Sequence, residues 1–221
     1  MKNENETEFF CVTDEMLSEL RERIKPYLTE KRYAHTLAVE REVSRLADIY
    51  LPEKKGELRC AALLHDITKI LSFENQLQYC EKFDIIVRNS DKMSPKIFHA
   101  KTGAAVAAAD FPEFVNAEII SGIRWHTTGR AGMTLFESLV YLADYIEETR
   151  TFDDCVELRE FFYDGLAGGR ITKEELLVTT MIKSFDMTIR MLIEEGSLID
   201  SDTVEARNYF VKVSCEKKEN L

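Results

Sequence analysis

Four histidines and two aspartates recur along the chain with a spacing that suits metal coordination. In chain order they are His35, His65, Asp66, His99, His126 and Asp144. They stand 30, 1, 33, 27 and 18 residues apart, which fits one ligand group on each helix of a bundle, a common way for helical proteins to build metal sites. Four imidazoles with two carboxylates favour divalent iron, manganese, cobalt, nickel or zinc.

The size of this ligand set indicates more than one metal ion. A catalytic zinc ion uses three protein ligands and keeps one position open, so six ligands exceed its requirement. Six ligands are the right number for two ions that share a bridging carboxylate. A single histidine on an apolar helix face is more often a core residue, but all four histidines of this chain belong to the set. The sequence therefore predicts a metal centre built by several helices.

The composition excludes several classes of protein. The 221 residues include 29 Lys and Arg against 40 Asp and Glu, a net charge of −11, so no basic surface for general nucleic-acid binding is expected. A small anionic substrate needs only a local cluster of positive charge. The N-terminus has no signal-peptide pattern, and the longest small-apolar run, residues 103–109, is too short for a bilayer. Five scattered cysteines without a C-x-x-C pair favour a cytoplasmic protein with reduced thiols.

Helical periodicity runs through almost the whole chain and predicts an all-α fold. A helix over residues 29–50 carries Val39, Val43 and Leu46 on one face, and His35 lies on that face. Ser94 and Pro95 indicate a helix start, with Ser94 as the cap. Further helices are predicted from Thr13, over residues 53–66, 73–83, 94–109 and 113–125, and after capping boxes at Thr134/Glu137 and Thr172/Glu175, the last ending at Gly196.

One helical domain is expected over residues 13–213, because neither a repeat nor a linker rich in Gly, Ser or Pro divides the chain. Residues 1–12 and 214–221 are polar and are expected to form a flexible N-terminus and a flexible tail. The region from residue 151 onward is helical in pattern but has no histidine. We interpret it as scaffold or as cover for a substrate.

The residues around the predicted ligands match one known family. The matching segments are residues 31–36, 63–69, 97–99, 123–130 and 141–147, within a resemblance that covers residues 20–190. The order His, His-Asp, His, His, Asp resembles the HD superfamily of metal-dependent phosphohydrolases. The segments themselves are similar to its YqeK-type branch, the symmetrical bis(5′-nucleosyl)-tetraphosphatases. The stretch from His126 to Arg130 is the most discriminating, because the general HD fold does not require it.

This resemblance implies an HD-domain helical bundle with additional C-terminal helices, and symmetrical cleavage of diadenosine tetraphosphate into two ADP. It implies two metal ions, with iron as the metal, and a bridging role for Asp66. The ligands of one ion are then His35, His65, Asp66 and Asp144, and those of the other His99 and His126. Two such ions activate a bridging water and hold phosphoryl oxygens, and their charge attracts polyphosphate to an acidic protein.

Lys69 follows Asp66 by one helical turn, and these two residues form the predicted catalytic pair. Lys69 is placed to offset charge on the phosphoryl group or to orient the bridging carboxylate. The alternative is an ordinary solvated lysine. Arg32, one turn before His35, is expected to add positive charge at the rim of the site, although a solvated surface position explains it nearly as well.

The loop after His126 is expected to cradle phosphate. Its hydroxyls and backbone amides can donate hydrogen bonds, and its guanidinium can pair with two phosphate oxygens. A plain turn with an exposed arginine is the alternative. The residues concerned are Thr127, Thr128, Gly129 and Arg130.

Several departures from the family pattern and several rival functions stay open. Relatives often carry an acidic residue at the position of Ile70, a glycine at that of Ala100 and a proline at that of Glu148. The rivals are another HD phosphohydrolase, such as a nucleotidase or a guanosine tetraphosphate hydrolase, a di-iron oxygenase, and a nucleotide-binding module without turnover. The expected partner is a small dinucleoside polyphosphate or nucleotide, with neither nucleic acid nor membrane, and a homodimer is compatible with the sequence.

Overall fold

Ten α-helices form the part of the chain that the computed structural model describes, residues 10–89 and 91–219, with side chains described up to residue 216. No strand occurs within these residues, which confirms the all-α prediction. None of these helices combines the length and apolar character needed to cross a membrane. They are α1 (Asp14–Ile24), α2 (Glu30–Tyr50), α3 (Lys55–Leu64), α4 (Phe73–Lys82), α5 (Phe98–Asp110), α6 (Ala117–Trp125), α7 (Leu135–Ile146), α8 (Asp153–Gly168), α9 (Lys173–Glu194) and α10 (Ser201–Glu219).

Side chains at the helix starts satisfy backbone N–H groups that have no partner inside the helix. The side-chain oxygens that accept a hydrogen bond from the N–H three residues later belong to Thr13, Thr29, Ser72 and Asn116. Both predicted capping boxes are confirmed, at Thr134/Glu137 before α7 and at Thr172/Glu175 before α9. Gly196, at a φ of +62°, follows the end of α9 as expected.

The centre of the molecule is formed by α2, α3, α6 and α7, with α5 packed against α3 and α6. The predicted apolar face of α2 is confirmed, since Val39, Val43 and Leu46 are fully buried. This packing brings together the second turn of α2, the first turn of α5, the last turn of α7 and the residues that directly follow α3 and α6. These positions carry the predicted metal ligands.

The helices from α8 onward form a second layer, in which α9 packs against α8 and α10. Phe185 on α9 is fully buried, and its ring centroid lies 4.8 Å from that of Tyr141 on α7. This layer also covers the loop after His126. A Cβ on Gly129, which has a φ of +65°, would lie 2.7 Å from Phe185 and 3.0 Å from Ala206, so this close approach requires glycine.

Several predicted boundaries were wrong. The helix expected over residues 53–66 is an α-helix only from Lys55 to Leu64, after which the chain turns. Ser94 makes no capping hydrogen bond, because Pro95–Ile97 forms a 3-10 helix before α5. The helix expected from residue 113 begins at residue 117, where Asn116 supplies the cap.

The predicted chain ends are only partly described. Residues 1–9 of the predicted N-terminal segment lie outside the described residues. At the other end, α10 continues without a break from residue 201 to residue 219. The predicted tail therefore does not begin at a helix end, because its residues 214–219 continue the last helix.

Candidate metal centre

The carboxylate of Asp66 lies at the middle of the predicted ligands and is 2% exposed. Its Oδ2 atom lies 3.5 Å from Nε2 of His65 and 3.9 Å from Nε2 of His35. Its Oδ1 atom lies 3.3 Å from Nε2 of His99 and 3.8 Å from Nε2 of His126. Each oxygen of one buried carboxylate therefore faces its own pair of imidazoles.

Asp144 completes one half of this arrangement. Its Oδ1 atom lies 3.0 Å from Nε2 of His35 and 3.7 Å from Nε2 of His65. We call the group of His35, His65, Asp144 and Oδ2 of Asp66 the His35 side. His99, His126 and Oδ1 of Asp66 form the His99 side.

Contacts at Nδ1 orient the four imidazoles toward the same point. Nδ1 of His65 lies 2.6 Å from the carbonyl oxygen of Ala62, and Nδ1 of His99 and of His126 each lie 2.7 Å from the carbonyl three residues earlier. Nδ1 of His35 lies instead 3.0 Å from Oε1 of Glu147. An Nδ1 that donates to an oxygen fixes the tautomer in which Nε2 carries the lone pair. All four rings then direct Nε2 toward the centre.

The pKa values of the two aspartates favour their ionised forms. Burial raises the pKa of Asp66, but His65 and Lys69 outweigh that effect and hold it well below its usual range. Burial also raises the pKa of Asp144, and the Arg150 guanidinium lowers it well below its usual range. Both carboxylates are therefore in the form that binds metal.

The histidines of the two sides differ in their pKa values. Burial lowers the pKa of His126 to about 4, and burial with the nearby Lys69 holds that of His99 well below its usual value. Burial lowers the pKa of His35 as well, but the carboxylates of Asp144 and Glu147 raise it to about 9. The His99 side thus presents neutral imidazoles at pH 7, while His35 holds a proton that a metal must displace.

The residues present fit a divalent metal. Nε2 of His65 is buried and has no hydrogen-bond partner among the described residues, and Nε2 of His35, although close to Asp144, is also outside hydrogen-bond geometry. Buried polar atoms without a partner are rare. Here the atoms concerned are imidazole nitrogens that face ionised carboxylates, and imidazole nitrogen with carboxylate oxygen is the ligand set that first-row divalent metals prefer.

Two predicted cations approach different oxygens of the central carboxylate. Nζ of Lys69 lies 2.8 Å from Nε2 of His99 and 3.8 Å from Oδ1 of Asp66. Burial lowers the pKa of Lys69. Nη1 of Arg32 lies 3.0 Å from Oδ2 of Asp66, so Arg32 reaches the centre itself. Lys69 therefore belongs to the His99 side and Arg32 to the His35 side.

The structure brings only part of the predicted phosphate loop to the metal centre. The Thr127 hydroxyl lies 3.2 Å from Nε2 of His99 and 3.1 Å from Nε2 of His126. The Thr128 hydroxyl donates to the carbonyl of Gly129. Arg130 pairs with Glu137 over 3.0 Å instead, because Glu137 is 1% exposed and a buried carboxylate needs a cation or strong donors.

Two pockets adjoin the centre and share Pro95 and Lys96. One, of about 420 Å³, is bordered by Arg32, Lys69 and His99. The other, of about 270 Å³, runs from Thr127 and Thr128 to side chains of α9 and α10. A larger pocket, of about 720 Å³, lies between α8 and α9, and none of the predicted ligands lines it.

Sequence reasoning missed two residues next to the ligands. Glu147 approaches Nδ1 of His35, and Arg150 donates to Oδ1 of Asp144 over 2.6 Å. The sequence contains a signal for both residues. A ligating histidine needs an acceptor for its other nitrogen, and Glu147 and Arg150 follow Asp144 by three and six residues. The α9 residues that line the 270 Å³ pocket, among them Thr188, were also not predicted.

Known proteins resemble this chain in sequence and in fold. The model of the HD domain matches residues 32–149, which include all six predicted ligands. A bis(5′-nucleosyl)-tetraphosphatase (symmetrical) of Bacillus subtilis is 31% identical to this chain, over 86% of this chain and 95% of the relative. Another, of Staphylococcus aureus, is 29% identical, over 84% of this chain and 90% of the relative. The crystal structure of a predicted HD superfamily hydrolase involved in NAD metabolism from Clostridium acetobutylicum matches with a TM-score of 0.77 and 32% identity, over 88% of this chain and 96% of its own.

These likenesses extend over most of the chain and include the region that holds the cluster of histidines and aspartates. The HD domain implies that the cluster binds a divalent metal. The chain therefore belongs to the HD-domain family as a metal-dependent hydrolase, in the branch that contains the symmetrical bis(5′-nucleosyl)-tetraphosphatases.

Proposed function

We propose that this protein hydrolyses diadenosine tetraphosphate symmetrically to two ADP, with two divalent metal ions and iron as the resident metal. The observation that carries the proposal is the position of Asp66. Its two oxygens face two separate pairs of imidazoles, at 3.3 to 3.9 Å. A carboxylate in this position suits a bridge between two ions. The names of the relatives support the substrate, and the family resemblance supports iron.

The two sides of Asp66 give the ligands of each ion. His35, His65 and Asp144 with Oδ2 of Asp66 would hold one, and His99 and His126 with Oδ1 would hold the other. When bound, such a pair of ions supplies an activated water for attack on phosphorus and neutralises charge on the phosphoryl oxygens. Imidazole and carboxylate ligands also accept manganese, cobalt, nickel and zinc.

The side chains around the ligands bind and orient the polyphosphate. Arg32 and Lys69 border the 420 Å³ pocket together with Lys96, so three cations face a substrate with several negative charges. Lys69 contacts both His99 and Asp66 and can donate to a phosphoryl oxygen at the reacting centre. Thr127 can donate its hydroxyl from the other side of His99.

The pair of pockets suits a substrate with a nucleoside at each end. The 270 Å³ pocket is lined mainly by apolar side chains and threonines, among them Met93, Leu192 and Leu198, which suits a base and a ribose. It meets the cationic pocket at Pro95 and Lys96. A polyphosphate at the metal centre can therefore extend a nucleoside into the apolar pocket.

We also propose a cytoplasmic location and a small-molecule partner, with neither nucleic acid nor membrane. The five cysteines are all free thiols, two of them exposed, which supports a reducing compartment. The net charge of −11 supports the absence of a nucleic-acid surface. A homodimer stays a prediction that light scattering on the full chain tests.

Product analysis tests the proposed function. The purified chain, loaded with iron(II) under argon, is incubated with diadenosine tetraphosphate, and the nucleotides are separated by ion-exchange chromatography. We expect ADP as the sole product, two per substrate. ATP with AMP would show asymmetrical cleavage and contradict the proposal. Turnover that requires dioxygen would indicate the di-iron oxygenase, and hydrolysis of other nucleotides alone would indicate another HD phosphohydrolase.

A further inference from the structure

A tight turn, residues 147–150, connects α7 to α8 next to the His35 side. The backbone N–H of Arg150 donates to the carbonyl of Glu147 over 3.2 Å. The backbone N–H and the hydroxyl of Thr149 donate to the Glu147 carboxylate over 2.5 and 2.7 Å. The Glu147 side chain is fully buried. The turn therefore holds this carboxylate in one orientation.

Side chains from both ends of the turn reach metal ligands. Oε1 of Glu147 lies 3.0 Å from Nδ1 of His35, and the Arg150 guanidinium donates to Oδ1 of Asp144 over 2.6 Å. Both ligands belong to the His35 side. On the His99 side, by contrast, Nδ1 of each histidine is held by a backbone carbonyl three residues earlier. The turn thus orients ligands of one side only.

Arg159, on α8, fastens this turn from behind. Its guanidinium donates to the carbonyl oxygens of Ile146 and Glu147 and, over 3.1 Å, to that of Arg150. These three carbonyls lie at the end of α7 and at both ends of the turn. The described contacts of Arg159 include no metal ligand, so any effect of Arg159 on metal binding must pass through the turn.

We propose that residues 147–150, fastened by Arg159, position His35 and Asp144, so that Arg159 controls metal binding on the His35 side and not on the His99 side. The proposal rests on the proposed two-ion function. Residues that orient metal ligands typically change metal affinity by about 10- to 100-fold when they are removed. A loss of metal affinity on one side only distinguishes a positioning role from a general loss of stability, because a general loss would weaken metal binding on both sides.

Cobalt(II) titration of the full-length protein, followed by its visible absorption, tests this proposal. We expect two ions per chain in the wild type. In Arg159→Ala, one ion should bind about 10- to 100-fold more weakly and the other within about twofold of the wild type, with part of the loss restored in Arg159→Lys. The matched control is Arg207→Ala, which removes the 2.8 Å pair with Asp186 between α9 and α10 and should bind both ions normally.

Single-side backgrounds identify the affected ion. His126→Gln leaves the His35 side, and there Arg159→Ala should weaken the remaining ion about 10- to 100-fold. His35→Gln leaves the His99 side, and there Arg159→Ala should have no effect. Glu147→Gln is a second variant, which acts at His35 directly and should reproduce the selective loss even if Arg159→Ala folds poorly.

Three results would overturn the positioning role. They are unchanged affinities in a folded Arg159→Ala variant or in Glu147→Gln, an equal loss on both sides, and a loss of the same size in Arg207→Ala. A wild-type protein that binds a single cobalt ion contradicts the two-ion function instead. In that case the affinity for the single ion tests the positioning role. It must fall in Arg159→Ala and stay unchanged in Arg207→Ala.

Discussion

The two sides of Asp66 use similar ligands but differ in how those ligands are held. On the His35 side, charged side chains hold two of the residues: Glu147 contacts His35, and Arg150 contacts Asp144, while a backbone carbonyl holds His65. On the His99 side, backbone carbonyls orient the rings, and Lys69 and Thr127 approach Nε2 of His99. The His99 side chain is 2% exposed and borders the cationic pocket beside Lys69 and Arg32, whereas the His35 and Asp144 side chains are 12% and 18% exposed.

This difference indicates a division of labour between the two sides. A ligand set with its own charged partners is suited to hold a metal ion firmly. A ligand set next to a pocket lined by cations is suited to receive the substrate phosphate. Asp66 presents one oxygen to each side, so its loss should affect both sides at once.

Removal of the shared carboxylate should have the largest effect. Asp66→Ala takes one ligand from each side and leaves Arg32 and Lys69 without their acceptor. We expect metal content to fall to background and hydrolysis to fall by at least about 10³-fold. Metal analysis and a nucleotide hydrolysis assay measure the two effects, and Asp164→Ala, exposed on α8, is the control. Retention of one full metal ion in Asp66→Ala would show that the two sides are independent.

Removal of the cation on the His99 side should affect turnover and not metal content. Lys69→Met keeps the apolar stem of the side chain but not its charge, so we expect kcat/KM to fall by about 10²-fold. Metal analysis of the same sample should give the wild-type content. The control is Lys31→Ala, which changes an exposed lysine in the first turn of α2. It should change neither kcat/KM nor the metal content. A parallel loss of metal in Lys69→Met would mean that Lys69 orients Asp66 instead.

Metal binding on the two sides should depend differently on pH. The pKa of His35 is raised to about 9, so between pH 6 and 8 a metal on the His35 side must displace a proton, and its affinity should rise about tenfold per pH unit. The pKa of His126 is lowered to about 4, so affinity on the His99 side should be flat over this range. Cobalt(II) titrations of His126→Gln and His35→Gln report the two sides separately. Equal slopes would contradict the comparison.

The smallest effect is expected for Arg130. Because Arg130 pairs with the buried Glu137, Arg130→Ala should lower the free energy of unfolding by about 1–2 kcal/mol, measured by urea denaturation. Its effect on KM should be a few-fold and indirect, through the loop that carries Thr127. Arg170→Ala, an exposed arginine, is the control. A large increase in KM without loss of stability would restore the predicted phosphate contact.

That the four histidines and two aspartates come together could be predicted from the sequence, because each lies in a helix with a readable apolar pattern or directly after its end. The turn at residues 147–150 could not, because its backbone conformation decides that Glu147 points at His35 and Arg150 at Asp144. The pairing of Arg130 with Glu137 could not be predicted for a similar reason. A sequence shows an arginine in a glycine-rich loop, but only packing shows that Glu137 is buried beside it.

The most direct test of the central claim is an anomalous diffraction experiment on crystals of the protein loaded with manganese(II). The claim is that the two oxygens of Asp66 serve two separate metal ions. We predict two anomalous peaks, one between Oδ2 of Asp66 and the His35 side and one between Oδ1 and the His99 side. A single peak, or two peaks on the same side of the Asp66 carboxylate, would contradict it.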